Sequence, residues 1–229
     1  MKPWFLSAIL FLASALSAGQ SLGQYSKHVT ITGNSIAHFQ ANFGPYEFPA
    51  IQQSGVFIWG EDGQTCAEVL TLILYLVPAQ TDVAVLIDST NDIRDSVPVA
   101  QHMNCMYETI SALLARNPGL KIVAANTPPW THYNPCTGED NPDSILNLIA
   151  VYNEAYSDHS SGLQATWPNN VRVADVWTPS AGADGWAIPA DMPGPCGIHP
   201  GQEFQWATSW SHFASPYEAL VMQAVRGLW

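Results

Sequence analysis

Apolar residues gather in five short runs rich in β-branched side chains, at 28–34, 55–60, 83–88, 121–126 and 171–177. Runs of that length and composition predict strands. Elsewhere the apolar positions recur at helical spacing, over 64–77, 98–116, 142–160 and 212–228. Within 98–116, for example, Val99, Met103, Met106, Ile110, Leu113 and Leu114 share one helix face, and Asn117-Pro118-Gly119 stops the helix. The runs 83–88 and 121–126 are almost continuously apolar, as strands covered on both sides are. Strands alternating with helices predict an α/β fold, a parallel sheet with helices on both faces. The stretch 178–211 is rich in Gly, Pro and Trp and follows neither period. Irregular segments of that length in a compact domain are often functional.

A chain of 229 residues suits one sizeable α/β domain. Charged residues make up only 11% of it, and the formal net charge is −12. That balance excludes nucleic-acid binding by phosphate neutralisation, and anionic membranes repel it. The expected partners are neutral or weakly charged small molecules; the sequence leaves the oligomeric state open.

The first residues change the picture further. Lys2 precedes an apolar stretch from Trp4 to Leu16, and the small residues Ala15, Ser17, Ala18 and Gly19 follow. This is the layout of a signal peptide over 1–19, with cleavage at about 17–23. The stretch is shorter than the roughly 20 residues a membrane-spanning helix needs. The leucine-rich 69–77 is shorter still and reads as a buried helix, so no stable membrane insertion is expected. A secreted or periplasmic protein with one domain over 28–229 is predicted. In an oxidising compartment four cysteines favour two disulfides, with three connectivities open. Cys66 and Cys105 fall on predicted helices, and Cys136 and Cys196 in loops. Cys66–Cys105 with Cys136–Cys196 is therefore the preferred pairing. No CxxC or Cys/His ligand spacing is present, so no metal is expected.

Ligands of open α/β sheets bind beyond the carboxyl ends of the strands. The residues in those places are Gly33-Asn34-Ser35, Gly60 to Gly63, Ser89-Thr90-Asn91-Asp92, Thr127 to Asn134, and a late loop with His199. Ser, Gly, Asn and His in that order suffice for acyl transfer. A serine becomes nucleophilic beside a base such as His199. The amides of Ser35 and Gly63 and the side chain of Asn91 could receive the oxyanion.

These blocks resemble the SGNH/GDSL hydrolase superfamily, over about residues 28–228. The family's strand ending in Gly-Asp-Ser reads Gly33-Asn34-Ser35 here. Its Gly-x-x-Gly-x-Thr reads Gly60-Glu61-Asp62-Gly63-Gln64-Thr65. Its Gly-x-Asn-Asp reads Ser89-Thr90-Asn91-Asp92, and its Asp-x-x-His-Pro reads Cys196-Gly197-Ile198-His199-Pro200. The resemblance implies a three-layer α/β/α fold on a flavodoxin-like five-stranded sheet. It implies a carboxylic ester hydrolase with Ser35 as nucleophile, His199 as base, and Ser35, Gly63 and Asn91 as oxyanion hole. No cofactor is implied. Three residues depart from the family. Asn34 replaces an Asp that is not the nucleophile, Ser89 replaces a Gly at a tight turn, and Cys196 replaces the Asp that orients the histidine. A backbone carbonyl in 192–198 is the first candidate to take that Asp's place, and Asp191 the second.

The substrate reading is a short acyl ester, acetyl above all, on a small molecule or a carbohydrate. Trp130, His132, Tyr133 and Trp186 are candidates to line its cleft, by ring stacking or by packing the loops. Two other readings stay open. One is a non-catalytic secreted carbohydrate-binding protein on the same fold. The other is an FMN-binding flavodoxin-like protein, since Thr30 to Ser35 also suits a phosphate loop.

Overall fold

The architecture is seen in a computed structural model, which describes residues 28–34, 37, 56–60, 63–178, 181–187, 221, 223–225 and 227–228, with the backbone alone at 56–58. In chain order the elements are β1 (Val29–Gly33), β2 (Val56–Gly60), α1 (Cys66–Leu76), β3 (Val83–Ile87), α2 (Ser89–Arg94), α3 (Val99–Arg116), β4 (Lys121–Ala125), β5 (Tyr133–Asn134), β6 (Glu139–Asp140), α4 (Asp143–Ser157), α5 (Leu163–Thr166) and β7 (Val171–Ala174). The five predicted strands all form, in one sheet of order β2-β1-β3-β4-β7. Every neighbouring pair in it is parallel.

Strand β3 explains the three layers. Side chains of a strand alternate between faces, and here both faces are apolar. Val83, Val85 and Ile87 join Val29, Ile31, Val123, Ala125 and the C-terminal Val221 and Val225 in one buried cluster. Ala84 and Leu86 face the other way, onto Val69 and Ile73 of α1 and Met106, Ile110 and Leu113 of α3. The sheet is thus a filling between two apolar layers. Such burial contributes about 1.5–3 kcal/mol for each large aliphatic side chain. A third cluster, off the sheet, holds Ile93, Trp130, Ile149, Tyr152 and Trp186.

Three local structures differ from expectation for identifiable reasons. The last strand ends at Ala174 because Asp175 accepts the Trp177 and Thr178 amides on Oδ1 at 3.1 and 3.0 Å, which turns the chain. The 69–77 run is not wholly buried: α1 hides Cys66, Val69, Ile73 and Leu76 and exposes Leu72, Leu74 and Tyr75. The β5–β6 hairpin has no apolar alternation to announce it.

Cys66 and Cys105 form the expected disulfide, joining the first residue of α1 to α3. Their sequence separation of 39 puts its worth at about 2–4 kcal/mol. Cys136 is also disulfide-bonded; its expected partner Cys196 lies outside the described residues. Among the described residues no helix is long and apolar enough to cross a membrane. The signal peptide and most of the 212–228 helix also lie outside them.

Candidate active site

The chain visits β2 on one side of β1 and then returns to lay β3 on the other. Strand order reverses there, and the carboxyl ends of β1 and β3 flank the crevice where α/β sheets bind ligands. Gly33 ends β1 with φ +145°, and a Cβ added there would lie 2.1 Å from the Ile87 carbonyl oxygen and 2.9 Å from Asp88 Oδ1. Only glycine fits such an approach. The buried Asn34 then donates its N–H to that same Ile87 oxygen at 2.9 Å. The turn leading to Ser35 is therefore bonded to the end of β3.

Across the crevice, α2 begins immediately after β3. Asn91 in its first turn is buried and donates Nδ2 to the Gln64 carbonyl at 2.8 Å. A primary amide carries two hydrogens on that nitrogen, so one bond leaves a second donor. Gly63, beside Gln64, is exposed with φ +76° and open space where a Cβ would sit. Its carbonyl receives Arg94 Nη2 at 3.4 Å. Two of the three expected oxyanion donors are thus brought together by one side-chain hydrogen bond.

Asp92 makes a second tie two residues along, accepting the Cys66 amide on Oδ2 at 2.8 Å. That amide is one of the N–H groups a helix start leaves unpaired. Thr65 at the same helix start gives its own N–H and its hydroxyl to Glu68 Oε2, at 2.7 and 2.8 Å. These bonds, above all from the Thr65 backbone, hold the Glu68 carboxyl below its ordinary value.

Ser89 needs no glycine after all. Ser96 is the only non-glycine with positive φ among the described residues, so Ser89 has an ordinary backbone. Its Oγ accepts the Thr127 hydroxyl at 2.5 Å. Thr127 is held further by Asn153, which accepts its N–H at 2.9 Å and donates to its carbonyl at 3.0 Å. Asn126 bonds Asp175 Oδ1 at 3.1 Å. Burial pushes the Asp175 carboxyl up, but hydrogen bonds from Thr178, Asn126 and Trp177 outweigh it and leave it below the ordinary value. The carboxyl ends of β3, β4 and β7 thus form one hydrogen-bonded polar rim.

The candidate cleft residues divide. Trp130 and Trp186 are buried at 3% and 6% exposure, packed with Ile149 and Tyr152, so loop packing accounts for both. His132 and Tyr133 are exposed, and the His132 ring tilts against Trp186 with centroids 5.1 Å apart. Ser35, His199, Asp191, Cys196 and the 192–198 loop lie outside the described residues. Among the described residues no group of three or more His, Cys, Asp and Glu side chains could hold a metal ion.

Sequence reasoning missed two parts of the site. Asp88, the residue before α2, is buried, and neither of its oxygens has a hydrogen-bond partner. Burial, with the nearby Asp92 charge adding to it, pushes its carboxyl up to about 8. The other part is His102, which lies against Asp92. Its signal was a polar residue inside the apolar stripe of α3, on the same face as Met106 and Thr109.

No family model and no curated protein matches the sequence. Solved structures do resemble it. A GDSL-like lipase from Bacteroides thetaiotaomicron aligns over 95% of this chain and 98% of its own, at 19% identity and a TM-score of 0.64. A member of the lipolytic G-D-S-L family from Veillonella parvula aligns over 87% of this chain and 96% of its own, at 15% identity and a TM-score of 0.55. The catalytic domain of peptidoglycan O-acetyltransferase A from Streptococcus pneumoniae covers 88% of this chain and 94% of its own, at 16% identity and a TM-score of 0.51. With its sheet order, its two-faced core and these likenesses, the chain has the three-layer α/β/α fold of the SGNH/GDSL hydrolases.

Proposed function

We propose that the protein is an exported serine esterase that removes short acyl groups, acetyl above all, from a small molecule or a carbohydrate. The observation that carries this reading is the Asn91–Gln64 bond. It joins Asn91 to the segment that carries Gly63, the two residues this reading makes oxyanion donors alongside Ser35. In the reaction His199 takes the Ser35 proton as Ser35 attacks the ester carbonyl. The negative charge that develops on the carbonyl oxygen falls to the amides of Ser35 and Gly63 and the free hydrogen of Asn91 Nδ2. His199 then protonates the leaving alcohol, and water resolves the acyl-enzyme by the same path. A carbonyl in 192–198, or Asp191, orients the imidazole in place of the acid that Cys196 displaces. The acetyl preference draws on the O-acetyltransferase among the fold's relatives. Export draws on the layout of residues 1–19.

The test is hydrolysis of nitrophenyl acetate, longer-chain nitrophenyl esters and acetylated polysaccharides by wild type and Ser35→Ala. The expected result is acetyl release that the substitution lowers by at least about 10³-fold, within the range set by loss of a nucleophile. Equal rates from the two proteins would remove Ser35 from the chemistry. No turnover together with polysaccharide binding would favour the carbohydrate-binding reading, and a copurifying flavin the flavodoxin-like one.

A further inference from the structure

His102 takes no part in the acyl transfer, yet it is the middle of a buried polar chain that runs from Asp92 to Tyr156. Asp92 and His102 are exposed by 2% and 0%. Asp92 Oδ1 lies 3.3 Å from His102 Nδ1, close enough for an ion pair although not aligned as a hydrogen bond. His102 Nε2 is 2.8 Å from the Tyr156 hydroxyl, and the two rings stack with centroids 5.7 Å apart. The Tyr152 ring tilts against the imidazole with centroids 4.9 Å apart and anchors itself by donating its hydroxyl to the Val97 carbonyl at 2.6 Å. The ring is fixed by residues of α4 and by the segment that leaves α2.

We propose that His102, backed by Tyr156, is a positioning residue for the oxyanion side of the site. It holds the Asp92 carboxylate in the orientation that ties α2 to the first turn of α1, and so sets the spacing of Asn91 and Gly63. This rests on the esterase reading for its catalytic consequence, though not for the geometry.

The physical argument concerns what keeps Gly63 in place. No atom of the described residues lies within 4 Å of where a Cβ on Gly63 would sit, so among the described residues its position depends on the bonds around it. Besides Arg94, these are Asn91 to Gln64 and Cys66 to Asp92, two rivets between α2 and the chain entering α1. One rivet alone is a hinge, and two fix an orientation. The second depends on a carboxylate whose terminal torsion is soft, with no sharp rotamer of its own. A contact on its other oxygen is needed to hold it, and His102 is the side chain there. Where Nε2 accepts the Tyr156 hydroxyl, a hydrogen on Nδ1 is on the side of Asp92.

The experiment compares His102→Leu, His102→Asn and Tyr156→Phe with wild type and Ser35→Ala. Asparagine restores a donor at the branch where Nδ1 stood. Readouts are kcat and KM on nitrophenyl acetate, the melting temperature, and amide hydrogen exchange. A displacement of about 1 Å at a catalytic group can cost 10²-fold. His102→Leu is accordingly expected to lower kcat by about 30–100-fold with KM within about twofold. His102→Asn should recover to within about fivefold, and Tyr156→Phe should lose a few-fold. Amide exchange at Gly63 to Cys66 should quicken by more than about tenfold in His102→Leu and stay unchanged in β4.

A folded His102→Leu with wild-type kcat, or a His102→Asn no better than His102→Leu, would overturn the assignment. So would amides at 63–66 that exchange no faster than in wild type. If His102→Leu does not fold, the asparagine and Tyr156→Phe variants decide by the same readouts. Should Ser35→Ala match wild type, the esterase reading falls, and the exchange at 63–66 still decides the positioning.

Discussion

Asp88 and Asp92 bracket the start of α2 at almost equal burial, 1% and 2% exposed, and they are held in opposite ways. Asp92 has a backbone amide on one oxygen and an imidazole near the other. Asp88 has a hydrogen-bond partner on neither. Burial sets the cost of a charge, and partners decide whether that cost is met. Asp88 therefore keeps its proton up to about pH 8. Its Oδ1 lies beside the Gly33 turn, 2.9 Å from where a Cβ there would sit. Depth alone would have given both residues the same role.

The harshest way to break the contrast is Gly33→Ala, which drives a methyl against the Ile87 carbonyl and the Asp88 carboxyl. A loss of at least about 4 kcal/mol is expected from the clash and the strained φ together, read by urea unfolding. Near-native stability would mean that the Ile87 backbone at the end of β3, and Asp88 with it, can move away from β1.

Asp88→Asn comes next. An unfolded Asp releases its proton near 3.9, while the folded one keeps it to about 8. Between those values the native state binds more protons than the unfolded chain, so stability falls as pH rises and is level on either side. Asparagine removes that slope. The variant should gain about 3–5 kcal/mol over wild type at pH 8 by the linkage relation and little at pH 4. A slope that survives the substitution would show that Asp88 is not its source.

Asp92→Asn should go the other way, because it weakens an acceptor already in use. A loss of about 2 kcal/mol at pH 8 is expected from a charge-assisted bond, so the two substitutions separate in sign in one unfolding experiment. Ser89→Gly is the mildest change. It gives up the Thr127 bond and adds backbone freedom, for about 1 kcal/mol by thermal unfolding.

Much of the fold was legible because it rests on period. Val83 to Ile87 reads as a doubly covered strand from composition alone, and the structure buries every residue of it. The disulfide between Cys66 and Cys105 was the preferred pairing because both cysteines fall on predicted helices. The end of β7 was not legible, since it depends on where one carboxylate turns. The same limit hid the Asp92–His102–Tyr156 chain, whose members lie on three helices and meet only after packing. His102 and Tyr156 are 54 residues apart, beyond any periodic signal. For the site itself, Asn91 and Gly63 were readable as motif letters, but the bond that joins them runs to the carbonyl of Gln64, which no motif specifies.

The Cys66–Cys105 bridge has a consequence for how the chain folds. The Cys66 amide and Asp92 are 26 residues apart along the backbone. Through the sulfur link, Asp92 is reached from Cys105 in about half that distance. Loop closure costs about 0.6 kcal/mol less for each halving of length. An oxidised chain therefore searches for the contacts of α1 with α2 inside a covalent ring that already contains β3. The reduced chain must find them across open polymer, and its refolding rate should fall accordingly.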